Sequence, residues 1–186
     1  MELAERYHKG VVPLFPEVPY TLLVTHMAQD KEKLHHTVRT FRNALPLDEH
    51  FLQTIDSRKT LERIIDSEFL LSLFSMYTND TLLPVSVGNG MIVTLHQLPT
   101  FLQDTQKYLN SLGKLYTLTG NLGSGHVGVT MLFKKKKKTY EEDIFLYAKK
   151  LFSIIKDYDG GISATGGEGL ARAPFIGYVY SDATLA

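Results

Sequence analysis

The sequence predicts an α+β fold, in which helices pack on one face of a mainly antiparallel sheet in the manner of ferredoxin-like folds. Two observations favour this class. Short β-branched and apolar runs flank the glycine-rich stretch 120–128, which predicts a pair of adjacent strands. Helical apolar spacing appears both before and after that pair. With 186 residues, we expect a single domain over residues 1–186.

The first part of the chain reads as an extended segment, a strand and two helices. The proline-spaced residues 13–19 predict extended backbone, and YTLLVTHMA at 20–28 predicts a strand. Asp30 is a candidate N-cap for a helix that Pro46 stops. In a second helix, at 57–77, the apolar positions spread too widely for one stripe, so we expect burial on more than one side.

The next part contains two extended pieces and a helix. The pieces, 82–87 and 91–94, flank the turn sequence GNG. Pro99 begins a helix, and Gly113 is its expected C-terminal cap. The strand pair around the glycines follows.

A last helix is predicted after the strand pair. Thr139 and Glu142 form a capping box, and Asp159 with the following glycines ends the helix. The predicted buried face of this helix consists of Ile144, Phe145, Ala148, Leu151, Phe152 and Ile155.

The stretch LYTLTGNLGSGHVGVTMLF contains G-x-G-x-x-G at Gly123, Gly125 and Gly128. A dinucleotide-binding turn needs a helix N-terminus behind the glycines to receive the pyrophosphate. A strand-like run follows Gly128 instead, so these glycines are typical of a connection between two strands, where they allow positive φ or close backbone approach.

Composition excludes several classes of function. The chain has 20 Lys and Arg against 20 Asp and Glu, so no overall charge points to nucleic acid. The lack of cysteine excludes thiolate zinc sites, disulfides and cysteine nucleophiles, and fits a cytoplasmic setting. No apolar run approaches the roughly 20 residues of a membrane span, and the N-terminus has no signal-peptide pattern.

Few residues are candidates for chemistry. The lysine run 134–138 lacks interleaved aromatic residues and is typical of a solvated loop. His35 and His36 are adjacent on a helix and therefore diverge, which favours surface positions over shared metal ligation. His126 and Glu168 each lie in a glycine-rich segment, where either could act as a general acid or base or be structural.

Two segments together resemble the C-terminal domain of FAD-linked oxidases, over roughly residues 60–178. In that family, which includes D-lactate dehydrogenase, D-2-hydroxyglutarate dehydrogenase and the glycolate oxidase flavoprotein subunit, G-H-x-G-[DN]-G-N-x-H precedes G-G-S-I-[ST]-[GA]-E-H-x-x-G-L-x-[RK]-x-P. Here GNLGSGHVG and GGISATGGEGLARAPF occupy those places in order. GNGMIVTLHQLPTFLQDTQKYL similarly resembles the family segment DD-x-x-V-P-x-x-x-L-P-x-F-L.

The resemblance also locates departures from the family motifs. The two metal-ligating histidines of the family fall on Asn121 and Gly128, and its acid-histidine pair falls on Thr165 and Gly166. His126 stands where the family has asparagine. The resemblance therefore implies no zinc or manganese site, because too few ligands remain.

Near the place of a substrate-binding arginine of the family, this chain has Asp66, in a loose alignment. Arg172 matches a basic residue of the second motif and could clamp a carboxylate or be a surface cation near the chain end. The resemblance implies a set of substrate-binding residues with catalytic residues unassigned: Asn121, Ser124, His126, Thr165, Glu168 and Arg172.

The function implied by the resemblance is that of a substrate-side domain of an FAD-linked oxidoreductase acting on 2-hydroxy acids. We expect the flavin-binding domain of the family to be absent from residues 1–186, so FAD would be held by a separate flavin-binding domain or subunit. The alternative is a truncated, noncatalytic remnant or protein-interaction domain. The sequence leaves open whether the chain is an enzyme, because the catalytic residues of the family are largely replaced.

Overall fold

The computed structural model describes residues 22–48, 52, 54, 55, 57–59, 82–134, 140–164 and 169–185. The chain divides into two compact units, Met1–Phe74 (unit 1) and Ser75–Ala186 (unit 2), which are described separately. Unit 1 contains helix α1, Lys31–Ala44. The elements of unit 2 are β1 (Leu82–Ser86), β2 (Met91–Ile92), α2 (Leu98–Ser111), β3 (Tyr116–Asn121), β4 (His126–Lys134), α3 (Tyr140–Asp157), α4 (Gly169–Arg172), α5 (Ile176–Val179) and α6 (Asp182–Leu185).

Helix α1 confirms the predicted cap. Asp30 has extended backbone, and its Oδ1 accepts a hydrogen bond from the Lys33 N–H at 2.7 Å, which satisfies one of the free donors of the first turn. The helix ends at Ala44, just before Leu45 and Pro46. His35 and His36 are exposed on it, as predicted.

The predicted strand at 20–28 is wrong over its described residues. Residues 22–28 have no regular secondary structure, and Leu22 is 63% exposed. A β-rich run becomes a strand only when a neighbouring strand pairs with its backbone groups, and no described residue of unit 1 forms one. Within this segment, the ring of His26 packs edge-on against Phe41 of α1, with centroids 5.0 Å apart.

Several predicted features lie outside the described residues. They are the extended segment 13–19, most of the helix 57–77, lysines 135–138 and the capping residue Thr139.

β4 is the central strand of a four-stranded antiparallel sheet. β3 pairs with one edge of β4, from Tyr116 opposite Met131 to Asn121 opposite His126. β1 and β2 follow one another along the other edge and act as a single interrupted strand. The predicted pair of strands around the glycines is therefore an antiparallel hairpin.

A short backbone bridge extends the sheet beyond β2. Ile92 and Gly161 exchange two backbone hydrogen bonds, each 2.9 Å long. With β1 and β2 counted as one strand, the chain order is strand, α2, β3, β4, α3 and then the bridge at Gly161. The bridge takes the place of the last strand in the β-α-β-β-α-β order. The predicted α+β class is confirmed.

One face of the sheet forms the core. Alternate β4 side chains, Val127, Val129, Met131 and Phe133, are buried because successive side chains of a strand point to opposite faces. Helices α2 and α3 cover this face with fully buried side chains of Phe101, Leu109, Leu151, Phe152 and Ile155.

The two covering helices largely follow their predicted patterns. α2 has Pro99 in its first turn, and Gly113 follows it with φ +57°. On α3, Phe145 was predicted to be buried and is 49% exposed. Its ring instead packs against Phe175, at a centroid distance of 5.0 Å, because the last residues of the chain cover this side of the helix.

The opposite side of the sheet, here called the outer face, carries the other half of the strand residues. It comprises Pro84, Ser86, Ile92, Thr117, Thr119, Asn121, His126, Gly128, Thr130, Leu132 and Lys134. Apart from Gly128, these residues are exposed or half-buried. Among the described helices, none is long and apolar enough to cross a membrane.

Candidate functional site

The glycine-rich hairpin brings together three of the predicted site residues. Asn121 ends β3, Ser124 lies in a 3₁₀ turn at Leu122–Ser124, and His126 begins β4 directly opposite Asn121. The Ser124 hydroxyl donates to the Asn121 carbonyl oxygen at 3.2 Å, so it stabilises the turn itself.

Gly125 closes this turn in a conformation that only glycine adopts readily. Its φ is +72°, and a Cβ at this position would overlap the carbonyl oxygen of Val93. The Val93 N–H in turn donates to the Gly125 carbonyl at 3.1 Å. Gly125 therefore attaches the hairpin to the strand segment that follows β2.

The other two glycines of the pattern have different surroundings. Gly128 lies inside β4, where strand residues follow it, so the glycines belong to a connection between two strands, as predicted. A Cβ on Gly123 would meet only the Asn121 side-chain oxygen, at 3.3 Å. Backbone geometry therefore requires glycine at 125 but not at 123.

The second glycine-rich segment lies along the opposite edge of β2. Gly161 pairs with Ile92, and the Ala164 N–H donates to the Gly90 carbonyl at 2.9 Å. The Tyr180 hydroxyl accepts from the Ile162 N–H at 2.9 Å and holds the segment from the other side. The two predicted site residues that come next, Thr165 and Glu168, lie outside the described residues.

Arg172 joins this segment to the turn before β2. Its Nη1 donates to the carbonyl oxygens of Ile162, at 2.7 Å, and Asn89, at 3.1 Å. The guanidinium lies where a side chain on Gly90 would stand. The described contacts thus give half-buried Arg172 a role in holding loops together, and its predicted contact with a substrate stays a prediction.

Residues 89–93 are consequently the meeting point of both glycine-rich segments. The hairpin bonds to Val93 on one side, and the segment 160–164 bonds to Gly90 and Ile92 on the other.

The outer face next to the hairpin carries polar groups without partners. The His126 Nε2 atom is buried, and no described residue forms a hydrogen bond with it. Gly128 follows His126 by two residues in β4 and therefore lies on the same face of the sheet. Thr119 of β3 lies opposite Gly128. The imidazole can accept or donate a proton, whereas the neighbouring hydroxyl and amide groups only form hydrogen bonds.

Asn89 is a residue of this region that the sequence analysis did not identify. Its Oδ1 lies 2.7 Å from the position that a Cβ on Gly128 would take. The signal available in the sequence was a polar residue between two glycines, in GNG, just before a predicted strand.

Neither a pyrophosphate-binding turn at the hairpin nor a group of metal ligands is seen among the described residues. The hairpin continues into β4 and has no helix N-terminus for a pyrophosphate. Among the described residues, no group of three His, Asp or Glu side chains is placed to hold a metal ion. The expected lack of a metal site stays a prediction, because Glu168 is outside this set.

Comparison with known proteins matches residues 1–186 to the family described as FAD linked oxidases, C-terminal domain. No curated protein matches the chain. The match covers both glycine-rich segments and the strand segment where they meet. This chain therefore belongs to the family of FAD linked oxidase C-terminal domains.

Proposed function

We propose that the chain is the substrate-side domain of an FAD-linked oxidoreductase acting on 2-hydroxy acids, in which residues 1–186 work as one functional domain. The observation that carries this proposal is the convergence of both glycine-rich segments on residues 89–93, beside the outer face. Family membership supports the flavin-linked chemistry.

The flavin would be held by a separate flavin-binding domain or subunit and would supply the two-electron oxidant for the substrate. The residues of this chain would bind and orient the acid. His126, Asn121 and Ser124 lie at the end of the hairpin, and Thr165, Glu168 and Arg172 belong to the second motif. We infer that His126 is the residue of the hairpin that exchanges a proton with the substrate, because its buried Nε2 has no hydrogen-bond partner among the described residues.

The second candidate function is a noncatalytic remnant or protein-interaction domain. It is favoured by the neutral amide and hydroxyl groups of Asn121 and Thr119 around His126, which are poor proton acceptors. A domain with this set could still bind a partner through the same fold.

The two candidates are separated by isolating the tagged chain from its native cells. We expect a yellow complex whose flavin absorption bleaches when a 2-hydroxy acid is added without oxygen, and we expect slower bleaching with His126→Ala. The recombinant chain mixed with FAD alone should elute colourless from gel filtration. A complex without flavin, or a flavin that no 2-hydroxy acid reduces, would favour the noncatalytic alternative.

A further inference from the structure

The carboxamide of Asn89 fills a gap on the outer face above Gly128. A Cβ built on Gly128 would lie 2.7 Å from Asn89 Oδ1 and 3.2 Å from Thr119 Oγ1. These atoms are therefore grouped over one backbone position of the central strand. The amide stands where the side chain of residue 128 would project in a chain with a larger residue there.

The backbone around Asn89 is held on both sides. Its carbonyl accepts from Arg172 Nη1, and the carbonyl of Gly90 accepts from the Ala164 N–H. On the other side, Gly88 and Val129 exchange backbone hydrogen bonds of 3.2 and 3.3 Å. A side chain on a loop fixed in this way loses little additional entropy when it binds a ligand.

The polar groups around Gly128 have capacity for further hydrogen bonds. Neither the Asn89 amide nor the Thr119 hydroxyl bonds to another described residue, and Nε2 of His126 is buried without a partner. Asn89 and Thr119 are exposed, so their side-chain polar groups are accessible to a ligand. The described outer face therefore offers an exposed amide and an exposed hydroxyl on either side of Gly128.

The charges of this face suit an anion. Its described residues include Lys134 and no Asp or Glu, so no carboxylate on it repels an incoming acid. An amide N–H and a hydroxyl can both donate to the oxygens of an ionised carboxylate, which has no donor of its own.

We propose that Asn89 is a substrate-binding residue whose carboxamide, together with the Thr119 hydroxyl, binds the carboxylate of the 2-hydroxy acid, and that Arg172 positions it. This inference rests on the proposed function. Arg172 acts through the Asn89 carbonyl and need not touch the substrate in this role.

The test is ¹⁵N nuclear magnetic resonance of the full chain titrated with D-lactate. We expect the side-chain NH₂ signals of Asn89 to shift, and Asn89→Ala to weaken lactate binding about tenfold, as the loss of a hydrogen bond to a charged group implies. Asn43→Ala, an exposed asparagine on α1, is the matched control and should leave the affinity unchanged.

A double-mutant cycle tests the positioning role. Arg172→Met should weaken lactate binding in the parent chain but not in the Asn89→Ala chain, although it lowers stability in both. If Arg172 only stabilises the fold, Arg172→Met would weaken lactate binding equally in the parent and the Asn89→Ala chains. That result would overturn the positioning role of Arg172.

The outcomes for Asn89 and for the proposed function are separate. If lactate shifts the signals of His126 and Asn121 while those of Asn89 stay in place, the inference is overturned and the proposed function stands. If no outer-face signal shifts at saturating lactate, both are overturned.

Discussion

Replacing Gly125 with alanine should destabilise the hairpin more than the same change at Gly123. Gly125 has φ +72°, and left-handed backbone costs an L-residue about 1–2 kcal/mol. The added Cβ would also overlap the Val93 carbonyl oxygen and force the Val93–Gly125 backbone hydrogen bond apart, at a further cost of about 1 kcal/mol. We therefore expect a loss of roughly 2–3 kcal/mol in the free energy of unfolding.

Variants at two other glycines separate the cost of the left-handed backbone from the cost of the close contact with Val93. Gly113 has φ +57° with no atom within 4 Å of its notional Cβ, so Gly113→Ala measures the cost of the left-handed backbone alone. Gly123→Ala should change the free energy of unfolding by less than about 1 kcal/mol, since its φ is not positive and its one close neighbour is a movable side-chain atom.

Urea denaturation of the three variants and the parent chain gives the comparison. The expected order of loss is Gly125→Ala, then Gly113→Ala, then Gly123→Ala. If Gly113→Ala costs as much as Gly125→Ala, the close approach to Val93 contributes nothing. If Gly123→Ala costs the most, the assignment of the turn geometry is wrong.

Three further predictions concern the rest of the chain. Thr105→Val should raise the free energy of unfolding by about 1 kcal/mol in urea denaturation, because Thr105 Oγ1 is buried without a hydrogen-bond partner among the described residues. A loss of stability would show that this hydroxyl does form a hydrogen bond. Burial, and secondarily the charge of Tyr147, raises the pKa of Tyr108 from 10.0 to about 12. Between these two pH values the folded state keeps a proton that the unfolded state loses, so the free energy of unfolding should fall as the pH rises. Alkaline denaturation should show a smaller fall for Tyr108→Phe, and an unchanged fall would contradict the assignment. Asp30→Ala should cost about 1 kcal/mol by removing the cap of α1, seen as lower helical circular dichroism, whereas Asp30→Asn should retain most of the helix.

Local signals in the sequence predicted the elements whose geometry is set by local contacts. The cap at Asp30, the start of α2 near Pro99 and the hairpin around the glycines each depend on residues a few positions apart.

What the sequence did not predict depends on contacts between distant residues. Residues 22–28 have strand composition without a described pairing strand, and Phe145 packs against Phe175, thirty positions further on. The approach of Asn89 to Gly128 results from the pairing of β4 with β1 and β2, which flank the GNG turn. No single-sequence pattern reports such a contact.

The arrangement of strands around β4 has a consequence for the order of folding. β3 and β4 are joined by a four-residue connection, from Leu122 to Gly125, whereas the pairing of Leu82 in β1 with Lys134 in β4 closes a much longer loop. Because closing a longer loop costs more chain entropy, the hairpin should form first and serve as the template on which β1 and β2 dock. The turn at Asn89 would then acquire its final shape late, after the central strand already exists.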